Sequence, residues 1–330
     1  MPPAPERSFA SDNQAGAHPA VLDAVAAANA GHATAYGDDP ITRRCLAEFD
    51  ELFDRPVTTL LTFNGTGANV LALSALARPG SAVVCARGAH IDADETGAPE
   101  RVAGTKLITI DSPDGKLRPA ALDDQASTLG VVHHPQPRIV SITLSTEVGT
   151  TYSPDEIGAL CETAHRHGMR VHVDGARLAN AVAHVGAGRD GLRRLLVDSG
   201  VDVVSFGGTK NGALGAEAVV FLSPGIDEHA GYARKSITQL ASKMRFLAAQ
   251  FNALLADDLW LDLATHSNRM SSSLYDRVGD LPGLALDQPP VVNSLFPVLP
   301  ADQAARLGEW SPFYAVSYTH LTLPTTCTPC

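Results

Sequence analysis

The chain has 330 residues, of which 45% are hydrophobic, and this size and composition predict a sizeable core and two domains. Its formal net charge is -11 and it has no run of Lys and Arg, which argues against a nucleic-acid surface. No apolar stretch approaches the roughly 18 residues of a membrane span, and the N-terminus lacks the apolar segment of a signal peptide. We therefore expect a cytoplasmic protein that binds neither nucleic acid nor membrane.

Seven strand-like runs recur along the chain, and helical patterns lie between most of them. One helical pattern, 153–168, opens with a Ser-Pro pair, has Asp155 and Glu156 in its first turn and ends at a glycine. This alternation predicts an α/β fold with a mostly parallel seven-stranded sheet and helices on both faces. The hairpin at 201–222 breaks the alternation and predicts one antiparallel strand. The predicted strands are 58–63, 81–86, 106–110, 138–144, 170–174, 201–206 and 217–222.

The last third of the chain has a different pattern, helical after residue 225 and then rich in Pro and Gly. We expect an N-terminal arm at 1–20, a large domain at 21–235 and a smaller α+β domain at 236–316. From about Val316 the sequence becomes rich in Thr and Pro, and "SYTHLTLPTT" resembles translated sequencing-adapter sequence. We therefore predict that 317–330 is a non-native tail that does not pack on the small domain, which is incomplete without its natural C-terminal segment.

The five cysteines give no sign of a metal or redox site. Cys45, Cys85 and Cys161 lie in apolar or helical surroundings and are expected to be reduced and buried. Cys327 and Cys330 form a C-x-x-C pair, but it ends the chain and has no second pair or rigid platform. No metal site is predicted.

The stretch "FNGTGANVLALSAL", 63–76, predicts a strand end, a tight turn and the start of an apolar helix. Backbone N–H groups at such a helix start, with the hydroxyl of Thr66, form a cradle for phosphate. The motif is neither a P-loop nor G-x-G-x-x-G, so an ordinary strand–helix turn is the alternative.

The stretch "GMRVHVDGARLANA", 168–181, places Asp174 at the end of an apolar strand and Arg177 three residues later. Ligands of parallel sheets lie at the carboxyl ends of the strands. Asp174 is therefore a candidate site residue, with a helix N-cap as the alternative, and a surface position is the alternative for Arg177.

Lys210 stands in "VDVVSFGGTKNGALGAEAVVFL", 201–222, between two apolar runs. One helix and one strand separate it from Asp174, a spacing that returns the chain to the same sheet edge. A lysine, a carboxylate and a phosphate cradle together suit pyridoxal 5′-phosphate, whose aldehyde needs an amine and whose ring nitrogen needs a carboxylate. The alternative, a solvated hairpin tip, leaves the other two features unused.

Several motifs together resemble those of the low-specificity L-threonine aldolases: "YGDDP", "NGTGAN", "VHHPQP", "STEVGT", "VHVDGARLANA", "FGGTKNG" and "QLASKMRF". The resemblance runs from about Phe9 to Tyr314. It implies a fold type I pyridoxal-phosphate enzyme with the aspartate aminotransferase fold, active as a homodimer or homotetramer. It also implies cleavage of L-threonine, L-allo-threonine and similar β-hydroxy-α-amino acids into glycine and an aldehyde.

The resemblance assigns a role to each matching residue. Lys210 is the Schiff-base lysine, Asp174 the partner of the pyridine nitrogen, and Gly65, Thr66 and Gly67 the phosphate turn. His90 stacks on the cofactor ring, His133 lies near the substrate hydroxyl, Ser11 and Arg177 bind the substrate carboxylate, and Arg245 contacts the phosphate of a neighbouring subunit. For His90 a polar loop position is the alternative, and His134 competes with His133 for the second histidine role. The base that takes the hydroxyl proton is His133, His90 or a water that they hold.

One departure from the family concerns a further arginine that binds the substrate carboxylate, expected beyond residue 316. No arginine follows Arg306. Two alternatives to aldol cleavage stay open. One is β-elimination from another amino acid, because related β-eliminating lyases share the architecture. The other is a protein that binds the cofactor but is inactive, because this arginine is missing.

Overall fold

A computed structural model describes residues 11–286, 288–311, 313–317 and 320–324, with the backbone alone from residue 314 onward. None of the helices in these described segments combines the length and the apolar character that crossing a membrane requires.

The large sheet has seven strands in the order β1-β7-β6-β5-β4-β2-β3. Strand β7 is antiparallel to both of its neighbours, and the other pairs are parallel. The predicted mostly parallel sheet, with one antiparallel strand from the 201–222 hairpin, is confirmed. The strands are β1 Thr58–Thr62, β2 Ser81–Ala86, β3 Lys106–Ile110, β4 Gln136–Thr143, β5 Arg170–Gly175, β6 Val203–Gly207 and β7 Glu217–Phe221.

Thirteen α-helices surround the sheets in the described part of the chain. The helix predicted over 153–168 is α7, and its Ser153 and Glu156 form a capping box. The helices are α1 Pro19–Ala28, α2 Pro40–Phe53, α3 Gly65–Leu76, α4 His90–Ala93, α5 Ala98–Ala103, α6 Pro119–Ala126, α7 Pro154–Arg166, α8 Leu178–Val185, α9 Gly188–Arg193, α10 Ala230–Ser236, α11 Arg245–Leu255, α12 Leu259–Val278 and α13 Ala301–Trp310.

Both faces of the sheet are covered, because neighbouring strand residues belong to different apolar clusters. Val204 packs in the main core with residues of α2, α7, α8 and α11. Val203 packs on the other face, in a cluster that includes residues of α3 and α10. This two-sided burial explains why the strands read as continuous apolar runs.

Aromatic rings fix the end of β6, from which the Lys210 turn starts. Phe206 lies edge-on to Phe49 at 5.6 Å between ring centroids and 5.4 Å from Trp260. Phe251 of α11 contacts both phenylalanines. All four rings are buried, so the strand end is held rigidly.

The C-terminal part contains two small sheets. Strands β8 Ala285–Leu286 and β10 Pro297–Val298 form one, and β9 Ser294–Leu295, β11 Tyr314–Ser317 and β12 His320–Pro324 form the other. The division into an arm, a large domain and a small domain stays a prediction.

The tail was predicted to stay apart from the small domain, and here the structure differs. The backbone of β12 pairs antiparallel with β9 and β11, because the short edge of β9 offers unpaired backbone groups to an extended segment. The non-native origin of 317–330 stays a prediction. Of this segment the structure describes 317 and 320–324, and the other residues lie outside the described ones.

The cysteine prediction is confirmed where the structure describes it. Cys45, Cys85 and Cys161 are free and buried. Burial raises the pKa of Cys85 and of Cys161 to about 12, so both thiols stay protonated. Cys327 and Cys330 lie outside the described residues.

Candidate active site

The candidate site lies at one edge of the large sheet, where several segments meet. Strand β1 ends there and leads into α3, and β6 ends there and leads into the Lys210 turn. Strand β5 ends there with Asp174 in its last two residues, and the antiparallel β7 begins there. The turn that carries Lys210 packs against the turn at Asp12–Gln14, and the charge of Lys210 acts on both Asp12 and His90. The edge therefore brings together residues from five separate stretches of sequence.

Asp174 is buried at the end of β5 and is held by two hydrogen bonds. Its Oδ2 accepts from Nδ2 of Asn69 at 2.9 Å, and its Oδ1 accepts from the backbone N–H of Ala176 at 3.0 Å. Each carboxylate oxygen can accept a further bond. The arrangement fixes the carboxylate and leaves it able to receive a proton donor from the crevice.

A buried hydrogen-bond chain extends from Asp174 to His90. Nδ2 of Asn69 also donates to Oε1 of Glu95 at 2.8 Å, and the same oxygen lies 2.9 Å from Nδ1 of His90. The bond to Glu95 raises the pKa of His90, against the opposing effect of burial. Burial raises the pKa of Glu95 itself. This chain of hydrogen bonds holds Nδ1 of the imidazole, so Nε2 is the ring nitrogen that remains available to a ligand in the crevice.

The polar atoms of His90, Glu95 and Asp174 lie within 4.8 Å of one another. Three such groups could hold a metal ion, but hydrogen bonds to Asn69 and to one another already organise them. We read this cluster as a positioning network.

Arg177 is engaged by a residue that the sequence did not single out. Its Nε and Nη2 donate to the two oxygens of Asp12 at 2.6 and 3.0 Å. Burial opposes the charged guanidinium, yet the charges of Asp12 and Glu147 hold the pKa of Arg177 above its usual value. The charges of Arg177 and Lys210 in turn hold the pKa of Asp12 below its usual value, although burial acts in the opposite direction. One planar edge of the guanidinium, Nη1 with Nη2, is left for another carboxylate.

Ser11 lies next to this ion pair and is buried. Its side chain caps the turn at Asp12–Gln14 by accepting from the N–H of Asn13 at 3.2 Å. Asn293, from the C-terminal part, donates to Asp12 at 3.3 Å. The N-terminal segment, the start of α8 and the C-terminal part therefore meet at Asp12.

The predicted phosphate turn starts α3. Asn64 is the N-cap, and its side chain accepts from the N–H of Gly67 at 2.8 Å. Gln239 lies over the turn, because its Oε1 accepts from the N–H of Phe63 at 2.9 Å and a Cβ at Gly67 would lie 2.4 Å from its side chain. A Cβ at Gly65 would meet nothing within 4 Å. The turn is thus open at Gly65 and closely covered at Gly67.

Lys210 is the middle residue of a short 3-10 turn, Thr209–Asn211, rather than the tip of a simple hairpin. It is half-buried, whereas its neighbour Asn211 is buried and donates to the carbonyl of Trp260 at 2.8 Å. The solvated-tip alternative does not describe this turn, which is packed on both sides.

His133, predicted to lie near the substrate hydroxyl, lies away from the other site residues of the same chain, and its role stays a prediction. It is exposed in the turn before β4, whereas the site lies beyond the other end of the strands. Eight residues of strand span roughly 26 Å, so this histidine cannot reach Asp174 within the chain. His134 is exposed in the same turn. The loop after β4 instead brings Glu147 to the site, where its charge acts on Arg177.

Arg245 starts α11 away from these contacts. Its guanidinium donates to the carbonyl of Gly31 at 3.3 and 3.4 Å and lies 5.0 Å from the ring of Phe246. Together with Lys243 and His32 it lines a cavity of about 400 Å³. Its predicted role toward a neighbouring subunit stays a prediction.

Sequence reasoning missed Asn69, Glu95, Asp12, Glu147 and Gln239. The signal for Asn69 was an amide residue in the mostly apolar run "ANVLALSAL". The other four stand in polar stretches, where nothing local distinguishes a buried residue from an exposed one.

The described residues fit pyridoxal 5′-phosphate. Asp174 can accept from a protonated ring nitrogen, α3 begins with an open turn at Gly65, and Lys210 lies at the same edge. The Oδ1 atom of Asn69 and the Oε2 atom of Glu95 are buried without a hydrogen-bond partner among the described residues. A polar ligand in the crevice would satisfy such atoms.

Comparison with known proteins gives a consistent picture across the chain. The family model described as Beta-eliminating lyase matches residues 8–300. The low specificity L-threonine aldolase of Pseudomonas aeruginosa is 44% identical over 307 residues, covering 92% of this chain and 88% of its own. That of another Pseudomonas is 42% identical with the same coverage. A solved threonine aldolase of Leishmania major is 31% identical with a TM-score of 0.89, covering 97% of this chain and 94% of its own.

Proposed function

Because the chain belongs to the beta-eliminating lyase family, and within it to the low-specificity L-threonine aldolases, we propose that it cleaves L-threonine and L-allo-threonine. The products are glycine and acetaldehyde, and similar β-hydroxy-α-amino acids give glycine and the corresponding aldehyde. The observation that carries the proposal is the edge of the sheet itself, where Lys210, the Asp174–Asn69–Glu95–His90 chain and the Arg177–Asp12 pair lie together.

The proposed cofactor is pyridoxal 5′-phosphate, whose electron-accepting ring, when bound, stabilises the negative charge left on Cα as the Cα–Cβ bond breaks. Lys210 would hold it through its amine. Asp174 would keep the ring nitrogen protonated, and the start of α3 with Thr66 would receive the phosphate. Asn69 fixes the Asp174 carboxylate against rotation, which supports the placing of that proton.

Substrate recognition is proposed to use Arg177 and Ser11. Asp12 occupies the Nε–Nη2 edge of Arg177, so the substrate carboxylate would bind the other edge of the guanidinium. Asp12 also orients the guanidinium before substrate arrives, which reduces the ordering cost of binding.

His90 is the proposed base. Glu95 holds Nδ1, so Nε2 would accept the proton of the substrate hydroxyl, directly or through a water. The bond to Glu95 stabilises the imidazolium that this transfer creates. Glu147 follows β4 at the same edge, and with Asp12 its charge holds the pKa of Arg177 above its usual value.

We further propose a homodimer or homotetramer in the cytoplasm. The half-buried Arg245, with the exposed Lys243 and His32 around one cavity, supports a site that a neighbouring copy completes. The free cysteines support a reducing compartment.

β-Elimination is the second candidate, favoured by the description of the matching family model. Assaying purified protein for glycine plus acetaldehyde from threonine, and for pyruvate plus ammonia from serine, separates the two reactions. A yellow protein that gives neither set of products would favour the third alternative, a cofactor-binding but inactive chain.

The test of the cofactor is chemical. Borohydride reduction of the reconstituted protein, followed by peptide mass mapping, is expected to place a pyridoxyl group on Lys210. An adduct on Lys235 or Lys243 in its place would contradict the assignment.

A further inference from the structure

A buried carboxylate that the proposed function leaves unused lies beside the lysine turn. Glu217 is the first residue of β7 and pairs with Gly207 at the end of β6 and with Thr62 at the end of β1. Its exposed fraction is 5%. A carboxylate is rarely buried this deeply unless it is paired or hydrogen-bonded, so its contacts indicate its role.

Those contacts are all to the segment that carries Lys210. Oε2 of Glu217 accepts from the backbone N–H of Gly208 at 3.2 Å, and Oε1 accepts from that of Thr209 at 3.4 Å. The Thr209 side chain also hydrogen-bonds to Glu217, and its Oγ1 accepts from the N–H of Ala216 at 3.2 Å. One carboxylate therefore holds the two residues that directly precede Lys210.

Lys210 is also the charged group that acts on Glu217. Burial raises the pKa of Glu217 to about 7, and the bonds to Thr209 and Gly208 and the charge of Lys210 oppose that rise. The residues that face it from β1, β6 and the turn, Thr62, Gly207 and Thr209, are uncharged.

Other groups complete the surroundings of this pair. Gln250 of α11 accepts from the N–H groups of Leu214 and Gly215 and carries no charge. The charge of Lys210 also acts on Asp12 and His90. Among these neighbours, His90 is a second titratable group, and its bond to Glu95 raises its pKa.

We propose that Glu217 is a positioning residue for Lys210: its carboxylate accepts from the two backbone N–H groups that directly precede the lysine, and its negative charge acts on the amine of Lys210 when that amine is free. The hydrogen bonds of Glu217 to the turn lie within this chain and involve no ligand, so Glu217 holds the turn before any ligand binds. Its use in catalysis rests on the proposed function, because there Lys210 must be released from the cofactor and bound to it again in each turnover.

The test measures the reactivity of Lys210 without cofactor or substrate. Apo protein is treated with formaldehyde and cyanoborohydride at pH 6 to 9, and methylation of Lys210 is followed by peptide mass spectrometry, with the exposed Lys235 as internal reference. Only the neutral amine reacts. Glu217→Gln removes a negative charge near the amine, and a nearby negative charge disfavours loss of the ammonium proton, so methylation of Lys210 at pH 8 is expected to be about tenfold faster.

The pH profile distinguishes this role from a merely structural one. The wild-type profile is expected to have an inflection near pH 7 that Glu217→Gln loses, while any inflection from His90 stays. Thr209→Val removes a hydrogen bond that lowers the pKa of Glu217, so it should move the inflection to higher pH. Thr62→Val is the control and should match wild type, because it removes a buried hydroxyl, at the paired position on β1, that has no hydrogen-bond partner among the described residues.

Superimposed profiles for wild type and folded Glu217→Gln would overturn the inference. If that variant does not fold, an inflection that Thr209→Val leaves in place would overturn it. Failure of pyridoxal phosphate capture or of threonine cleavage would instead refute the proposed function, and the methylation data would stand.

Discussion

Replacing Gly67 by alanine tests how α3 is covered at its start. The added Cβ would lie 2.4 Å from Cδ and 2.5 Å from Nε2 of Gln239, whereas heavy atoms in contact stay about 3.5 Å apart. Gln239 must therefore retreat by about 1 Å. That movement breaks the 2.9 Å bond that Phe63 donates to it, at a cost of about 1 kcal/mol.

The matched variant is Gly65→Ala in the same helical turn, where the new Cβ meets nothing within 4 Å. Alanine favours a helix over glycine by roughly 0.5–1 kcal/mol at both positions. We therefore expect Gly65→Ala to stabilise the apo protein and Gly67→Ala to leave its unfolding free energy about 1 kcal/mol lower than that of Gly65→Ala. Urea unfolding followed by circular dichroism measures both.

A double-mutant cycle identifies the cause. In a Gln239→Ala background the clash and the bond are both gone, so Gly67→Ala should become as stabilising as Gly65→Ala. If Gly67→Ala has the same effect with and without the Gln239 side chain, the reasoning from this contact is refuted.

Three further predictions concern the crevice. Asp174→Asn should retain the cofactor but lose activity by hundreds-fold, because a neutral amide gives up roughly 3–4 kcal/mol of electrostatic stabilisation; a near-native rate would contradict this. His133→Ala should change kcat/KM by less than about twofold, whereas His90→Ala should lower it about a hundredfold or more; equal losses would reinstate His133. Glu95→Gln should move the NMR titration midpoint of His90 to lower pH, because the bond to Glu95 is the main cause that raises the pKa of His90; an unchanged midpoint would exclude that cause.

The sequence by itself determined the sheet and the convergence of Asp174 with Lys210. Buried strands require continuous apolar runs, and the capping signals of α7 are local, so both could be read from short windows. Parallel strands place their carboxyl ends at one edge, and this rule brought the two residues together without coordinates. Applied to His133, which precedes β4, the same rule places that histidine at the opposite edge of the sheet within this chain.

Only the tertiary structure decided the partners of these residues. Asn69 and Asp174 are 105 residues apart in sequence, and Arg177 and Asp12 are 165 apart. Gln239 covers the Gly67 turn from 176 residues beyond Phe63. Periodicity and capping report on a residue's own neighbours along the chain. Which polar side chain is buried against which depends on how distant helices pack on the sheet, and no local pattern encodes that packing.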